Sequence, residues 1–183
     1  MRVMVTGHRP PKIGGYTLPN PTEQWIRKGL QALLTKLKTA HPELHAVTGM
    51  ALGVDTIFAE VCIELKIPFT AAVPFLDQEK QWPQKSRDHY FDILSEAHKS
   101  VVVADLPAYA SPTVRGQLLI RNLWMVEHSQ MTIAVWDGSK SGTANAVAES
   151  QKIPDRKIIH LNPLARTMGI IKPHPRNDYS EII

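Results

Sequence analysis

Cysteine occurs once in the chain, at Cys62. That excludes an internal disulfide and a cysteine-rich metal site, and it suits a reducing compartment. No apolar run approaches the ~20 residues that a membrane span needs. The opening MRVMVTG goes directly into a strand-like pattern, so no signal or transit segment is expected and a cytoplasmic location is. The eight histidines include no H-x-x-x-H or H-E-x-x-H pair, and no zinc site is expected. No Gly-Lys-Ser or Gly-Lys-Thr follows a glycine loop, which excludes a Walker A motif. No G-x-G-x-x-G follows the first strand, which excludes the ordinary dinucleotide fingerprint.

What is present fits one domain of ordinary size, with 43% hydrophobic and 21% charged residues. The net charge of +4 is compatible with an anionic ligand, but surplus lysines on solvated helix faces explain it equally. Short apolar runs alternate with segments of helical period. Strands are expected at VMVT (3–6), HAVTG (45–49), FTAAVPF (69–75), SVVVAD (100–105), MTIAVWD (131–137) and KIIHL (157–161). Helices are expected over 22–38, 54–65, 86–97, 114–128 and 143–152, where apolar residues recur at three-and-four spacing. Strands without clean alternation, each followed by a helix, predict a doubly wound α/β fold: a Rossmann-like, mostly parallel sheet with helices on both faces. Residues 1–162 form this domain, and 163–183 are read as a C-terminal extension.

Ligands of such sheets sit outside the carboxyl ends of the strands. After the first strand comes TGHRPPKIGGY, with Thr6, Gly7, His8 and Arg9; after the second comes TGMALGVD, with Gly49, Gly53 and Asp55. After the third comes PFLDQEKQW, with Glu79 and Trp82; after the fifth comes WDGSKSGTANAV, with Asp137, Gly138, Ser141, Gly142 and Thr143. Glycine and hydroxyl residues ahead of a helix N-terminus make a natural seat for phosphate. The pair in TGMALGVD is expected to let the backbone crowd both the sheet and the ligand, with Asp55 capping the helix or accepting from a ribose hydroxyl.

In this order, VTGHRPPKIGGY, TGMALGVDTIFAEV, VPFLDQEKQW and IRNLWMVEHSQMTIAVWDGSKSGTANAV resemble the SLOG superfamily, and within it the small YpsA-like proteins. GMALGVDTIFAE is also similar to the glycine-rich segment of DprA, and the segment from Arg121 to Thr143 to that of the Lonely-guy phosphoribohydrolases. The resemblance covers residues 2 to about 160. It implies a Rossmann-like sheet whose glycine loops bind nucleotides or nucleotide-derived ligands, and assembly of copies through the helices that flank the sheet. The phosphoribohydrolases carry a catalytic glutamate three residues after their Gly-Thr pair. Here the pair is Gly142-Thr143 and that position is Ala146, so the resemblance carries over Arg121 but not the acid.

Arg9 is read as a phosphate grip. His8 is read as packing its turn, with acid–base work near pH 7 as the alternative. Arg121 and Asn122 lie among inward-facing leucines, and an inward arginine needs a partner, either Asp137 or a ligand phosphate. Asp55 and Asp137 could serve acid–base work or magnesium, although helix capping explains each more cheaply. Ser141 and Thr143 suit phosphate donation, N-capping, or both. Trp82 is the candidate for stacking on a base, with Trp136 assigned to the core, and Glu79 is a candidate ribose or base contact.

The leading expectation is a sensor or sequestering module for a nucleoside phosphate or an ADP-ribose-like compound, with magnesium entering only alongside a nucleotide. The alternative is an N-glycosidic hydrolase of nucleoside monophosphates, with Asp55 or Glu79 moving the proton. Single-stranded DNA binding ranks last, because aromatic residues, 7% of the chain, are not interleaved with an extended basic stripe.

Overall fold

The structure is a computed structural model and describes residues 1–173. Seven strands form one sheet: β1 (Arg2–Gly7), β2 (His45–Thr48), β3 (Phe69–Val73), β4 (Lys99–Val102), β5 (Met131–Val135), β6 (Lys157–Asn162) and β7 (Thr167–Ile171). Their order across the sheet is β4-β3-β2-β1-β5-β6-β7. All neighbours are parallel except β6 and β7, which pair Ile158 with Ile171 and Asn162 with Thr167 in antiparallel register. The order reverses between β1 and β5, where Val3 pairs with Met131 and Gly7 with Val135.

Five helices cover the sheet: α1 (Pro21–Ala40), α2 (Val54–Glu64), α3 (Gln84–Ser95), α4 (Val114–Glu127) and α5 (Gly142–Gln151). Alternate residues of β1 face opposite layers, as strand geometry requires. Val3 and Val5 pack with Ile26, Leu30 and Leu34 of α1 and with Val54, Phe58 and Val61 of α2. Met4 packs with Val47 and Ala72 against Trp124, Met125 and Val126 of α4, and Val147 of α5 packs on Ala134 and Ile158. The fold is thus the doubly wound, mostly parallel α/β sheet with both faces covered. No described helix is long and apolar enough to cross a membrane.

Two elements differ from the sequence reading. The fourth strand ends at Val102, because Val103–Asp105 turn into a 3-10 helix whose Ala104 N–H donates to Pro74 O. The extension after residue 162 contributes β7, an edge strand whose side chains are mostly exposed and whose pattern therefore carries little apolar signal.

A buried cation lies where β5 and β6 begin. Arg156 donates from Nε to Thr132 Oγ1 (3.0 Å), from Nη1 to the carbonyls of Val126 and Ser129 (2.9 Å each), and from Nη2 to Ser129 Oγ. Its guanidinium thus ties the end of α4 to the start of β5, where the helix's terminal carbonyls favour a positive charge. Burial pushes its pKa down to about 10, so it stays charged at neutral pH.

Candidate functional site

The two glycines of TGMALGVD are both fixed by close approaches within the protein. A Cβ at Gly49 would lie 1.2 Å from Arg121 Nη1 and 2.8 Å from Asp55 Oδ2. A Cβ at Gly53 would lie 2.5 Å from the carbonyl oxygen of His8, and Gly53 has φ of +103°, where side chains are strained. Val54 N–H donates to that same His8 carbonyl (3.2 Å). A Cβ at Gly7 would in turn meet the Val54 side chain at 2.4 Å. The loop after β1 therefore rests directly on the start of α2. The approach expected of a ligand here is made by Arg121 and by the β1 loop.

Arg121 is 6% exposed, and its Nη1 stands 3.4 Å from Asp55 Oδ2. Its protein partner is thus Asp55 and not Asp137, which was one of the two partners expected beside a ligand phosphate, because α4 delivers the guanidinium over Gly49. Its Nε is buried and has no hydrogen-bond partner among the described residues. Asp55 also accepts from Ala51 N–H (3.3 Å), and the N-cap position of α2 belongs to Gly53, so Asp55 is not the helix cap. Burial pushes the Asp55 carboxyl above the usual carboxylate range, against the pull of Arg121, the Ala51 N–H and Arg9. Arg9 is close enough to act on both members of this pair. Arg9 lines the same cavity from the β1 loop.

Asp137 is engaged across the sheet. Its Oδ1 lies 2.7 Å from His8 Nε2 and accepts from Ser139 N–H (2.9 Å) and Ser139 Oγ (2.5 Å). Lys12 Nζ stands 3.8 Å from its other oxygen and donates to Ser139 Oγ. Burial raises the carboxyl, but the Ser139 and His8 hydrogen bonds outweigh it and hold Asp137 well below the usual carboxylate range. His8 is 2% exposed. Burial lowers its pKa from the ordinary 6.5 more than Asp137 raises it, so the ring is neutral at pH 7. Asp137 caps no helix. It closes a turn that Trp136 Nε1 also pins by donating to Ser139 O (2.7 Å).

The cap of α5 is Ser141, whose Oγ accepts from Ala144 N–H (3.2 Å). The N–H groups of Gly142 and Thr143, in the first turn, have no carbonyl to reach within their helix. Asn122 Nδ2 donates to Gly142 O (3.2 Å), which fixes the start of α5 against α4.

These parts surround one cavity of about 420 Å³ at the switch point between β1 and β5. Of the expected residues, Thr6, Gly7, His8, Arg9, Asp55, Arg121, Asn122, Ser141, Gly142 and Thr143 line it. Gly49, Gly53, Asp137 and Gly138 do not line it; the first three support lining residues through the contacts above, and Gly138 turns the loop at φ +88°. Glu79 and Trp82 lie elsewhere. Their segment folds onto α3, with Trp82 edge-on to Tyr90 at 5.5 Å and Trp82 N–H donating to Glu79 O. The stacking role expected of Trp82 is thus replaced by core packing. Lining residues missed from the sequence include Lys12, which lies in the quoted β1 loop, and Leu118, Leu119 and Met125 of α4. Their helical period signalled an inward face but not which part of it stays uncovered. Among the described residues, no three His, Cys, Asp or Glu are placed to hold a metal ion.

Comparison with known proteins agrees with this fold. The model of the YspA SLOG family matches residues 3–161. A UPF0398 protein of Bacillus thuringiensis (strain Al Hakam) is 30% identical over 155 residues, 82% of each chain. A UPF0398 protein of Bacillus cereus (strain Q1) matches to the same extent, 30% over 155 residues. Among solved structures, DNA processing protein A from Streptococcus pneumoniae superposes with a TM-score of 0.60 at 17% identity, over 88% of this chain and 50% of that one. DNA processing protein A from Helicobacter pylori, solved for its single-stranded DNA binding mode, gives 0.59 at 21% identity over 88% and 65%. These last two likenesses concern the fold, and this chain spans only half to two thirds of those proteins.

Proposed function

The chain belongs to the YspA SLOG family, and we propose that it binds a nucleotide-derived phosphate compound in the cavity at the β1/β5 switch point, as a sensor or sequestering module. The observation that carries this reading is the Arg121 guanidinium, buried with its Nε unpartnered. A buried donor left without an acceptor is costly, by about 1–3 kcal/mol, and a phosphate oxygen removes that cost. Arg9, Lys12 and Arg121 line the cavity, with Asp55 the only lining carboxylate among the described residues and Lys12 shared with Asp137 at 3.8 Å, a net positive lining that suits a phosphate. The free N–H groups of Gly142 and Thr143 add an anion seat at the head of α5. Leu118, Leu119 and Met125 offer an aliphatic wall for a base or sugar. The volume lies within the range of small-molecule sites.

Both nearby carboxylates are spent, Asp55 on Arg121 and Asp137 on His8 and Ser139. Magnesium, where it takes part, would therefore be carried by the ligand's own phosphates.

The test is equilibrium dialysis of the purified protein against nucleoside mono-, di- and triphosphates, NAD and ADP-ribose. Retention of one compound, weakened at least tenfold in Arg121→Met, is the expected result. No retention of any at millimolar concentration would end this reading. A salt-dependent gel shift with a single-stranded oligonucleotide would instead favour DNA binding, which the structural likeness to DNA processing protein A raises. Among the described residues, no aromatic side chain lines the cavity to stack a run of bases.

A further inference from the structure

A carboxylate outside the cavity lining touches a titratable group within it. His8 lines the cavity and is 2% exposed, and its Nε2 lies 2.7 Å from Asp137 Oδ1. The Asp137 N–H approaches the same nitrogen, at 3.1 Å. Nε2 thus meets a donor and an acceptor on one residue: bare, it accepts from the N–H, and protonated, it donates to the carboxylate. The ring has a place in either state, and its backbone is pinned, with the N–H donating to Val135 O and the carbonyl accepting from Val54 N–H. Of the charged groups around it, Lys12 stands 3.8 Å from Asp137 Oδ2, Arg9 follows in the same loop, and α2 and α4 bring Asp55 and Arg121 to the same lining. Three cations therefore stand against two carboxylates among these residues, which leaves one positive charge while His8 is neutral. A dianion in the cavity is balanced when His8 carries a second.

We propose that His8 takes up a proton when a dianion binds in the cavity, so that the site holds its anion and one proton as a linked pair. The proposal rests on the binding reading above and deepens it, by stating how pH regulates the same site. In the free protein, burial outweighs Asp137 and the ring is neutral at pH 7. An anion in the cavity adds a second negative charge beside the ring and favours its charged form. Linkage is reciprocal: where the anion favours the proton, the proton favours the anion. Affinity therefore rises as pH falls through the range between the His8 midpoints of the bound and free protein, and it is level above that range. Asp55 is the rival titrating group, since burial raises its carboxyl and the loss of its charge also favours an anion. Its charge, however, is held by Arg121 and the Ala51 N–H, both buried with it.

The probe is inorganic sulfate, which stays a dianion throughout, whereas a phosphate monoester loses a charge near about pH 6. Sulfate affinity of the full chain is measured at about pH 8 and about pH 5.5, on either side of an ordinary histidine. Ring-proton NMR follows the eight histidines, and His8 is the signal that His8→Gln lacks. Sulfate is expected to bind at least about threefold more tightly at the lower pH, and to raise the His8 midpoint by about one pH unit. His8→Gln is expected to lose most of that pH dependence. Asp137→Asn removes an opposing negative charge and is expected to bind sulfate more tightly at the higher pH, a gain that a damaged site does not give. Thermal melts at each pH confirm that both variants fold. Equal sulfate affinity at the two pH values, or an unmoved His8 midpoint, overturns the linkage and leaves the binding reading standing. An undiminished pH dependence in His8→Gln assigns the proton to another group, Asp55 first, and also overturns it. Sulfate held at neither pH overturns it as well, and the nucleotide dialysis above then decides the binding reading on its own.

Discussion

The Arg121 guanidinium fills the space that a side chain at Gly49 would take: the nearest approach of a Cβ there is 1.2 Å, to Nη1. The glycine at the end of β2 and the arginine of α4 are thus two halves of one fit, and the Asp55 pair depends on both. Gly49→Ala is expected to push the guanidinium off Asp55, weaken phosphate retention at least tenfold, and destabilise the fold by about 1–3 kcal/mol. Denaturant melts and dialysis of the variant check both effects. Unchanged affinity would show that Arg121 can move aside without cost.

The Arg121–Asp55 pair is buried on both sides, at 7% and 9% side-chain exposure. Removing one partner strands the other, which typically costs about 3–5 kcal/mol. Arg121→Met alone is therefore expected to destabilise more than Arg121→Met combined with Asp55→Leu. Urea melts of both variants decide this. The double variant should regain stability without regaining phosphate binding.

Acid stability follows from His8 and Asp137. The His8 pKa in the fold lies below its ordinary 6.5. The folded state therefore binds fewer protons than the unfolded one, and stability is full above about pH 6.5 and lost as pH falls through the folded value. Asp137 is depressed from the ordinary 3.8, so its contribution is present above that value and lost only below it. Melting temperatures are expected to fall in two stages. His8→Gln reduces the stage below pH 6.5, to which His45, also lowered by burial, contributes the remainder, and Asp137→Asn reduces the one below about pH 4.

Arg156 offers a control. It holds four oxygen acceptors where β5 and β6 begin and lines no part of the cavity. Arg156→Lys cannot reproduce the fork, and is expected to destabilise by about 2–4 kcal/mol through stranded buried groups. Phosphate affinity below the melting temperature should be unchanged.

Much of this was legible in the chain. Six strands and five helices follow from runs and periods, and the switch-point rule brings Thr6–Arg9 and Ser141–Thr143 together from sequence positions far apart. What the sequence hid is tertiary. Gly49 and Gly53 read as glycines cleared for a ligand, because nothing local says that Arg121 and the His8 carbonyl fill the space. Trp82 read as a candidate for stacking on a base, in a loop-rich stretch, but its segment folds back onto Tyr90. Arg156 belongs to no motif, since its partners come from α4, β5 and the turn joining them. The edge strand β7 is mostly exposed and lacks the apolar alternation that marks a half-buried strand.

The pairing of β1 with β5 also sets the order in which the molecule can be completed. Val3 is joined to Met131, and every residue between them must leave the ribosome before the sheet's two halves can meet. At about 5–20 residues per second that wait is on the order of ten seconds. During this time β1, β2 and β3 can zip together under α1 and α2 on one side, while the other side of β1 stays an open edge. The switch point is therefore both a seam that closes late in synthesis and the place where the cavity forms, so a nascent chain cannot hold a ligand until β5 has docked.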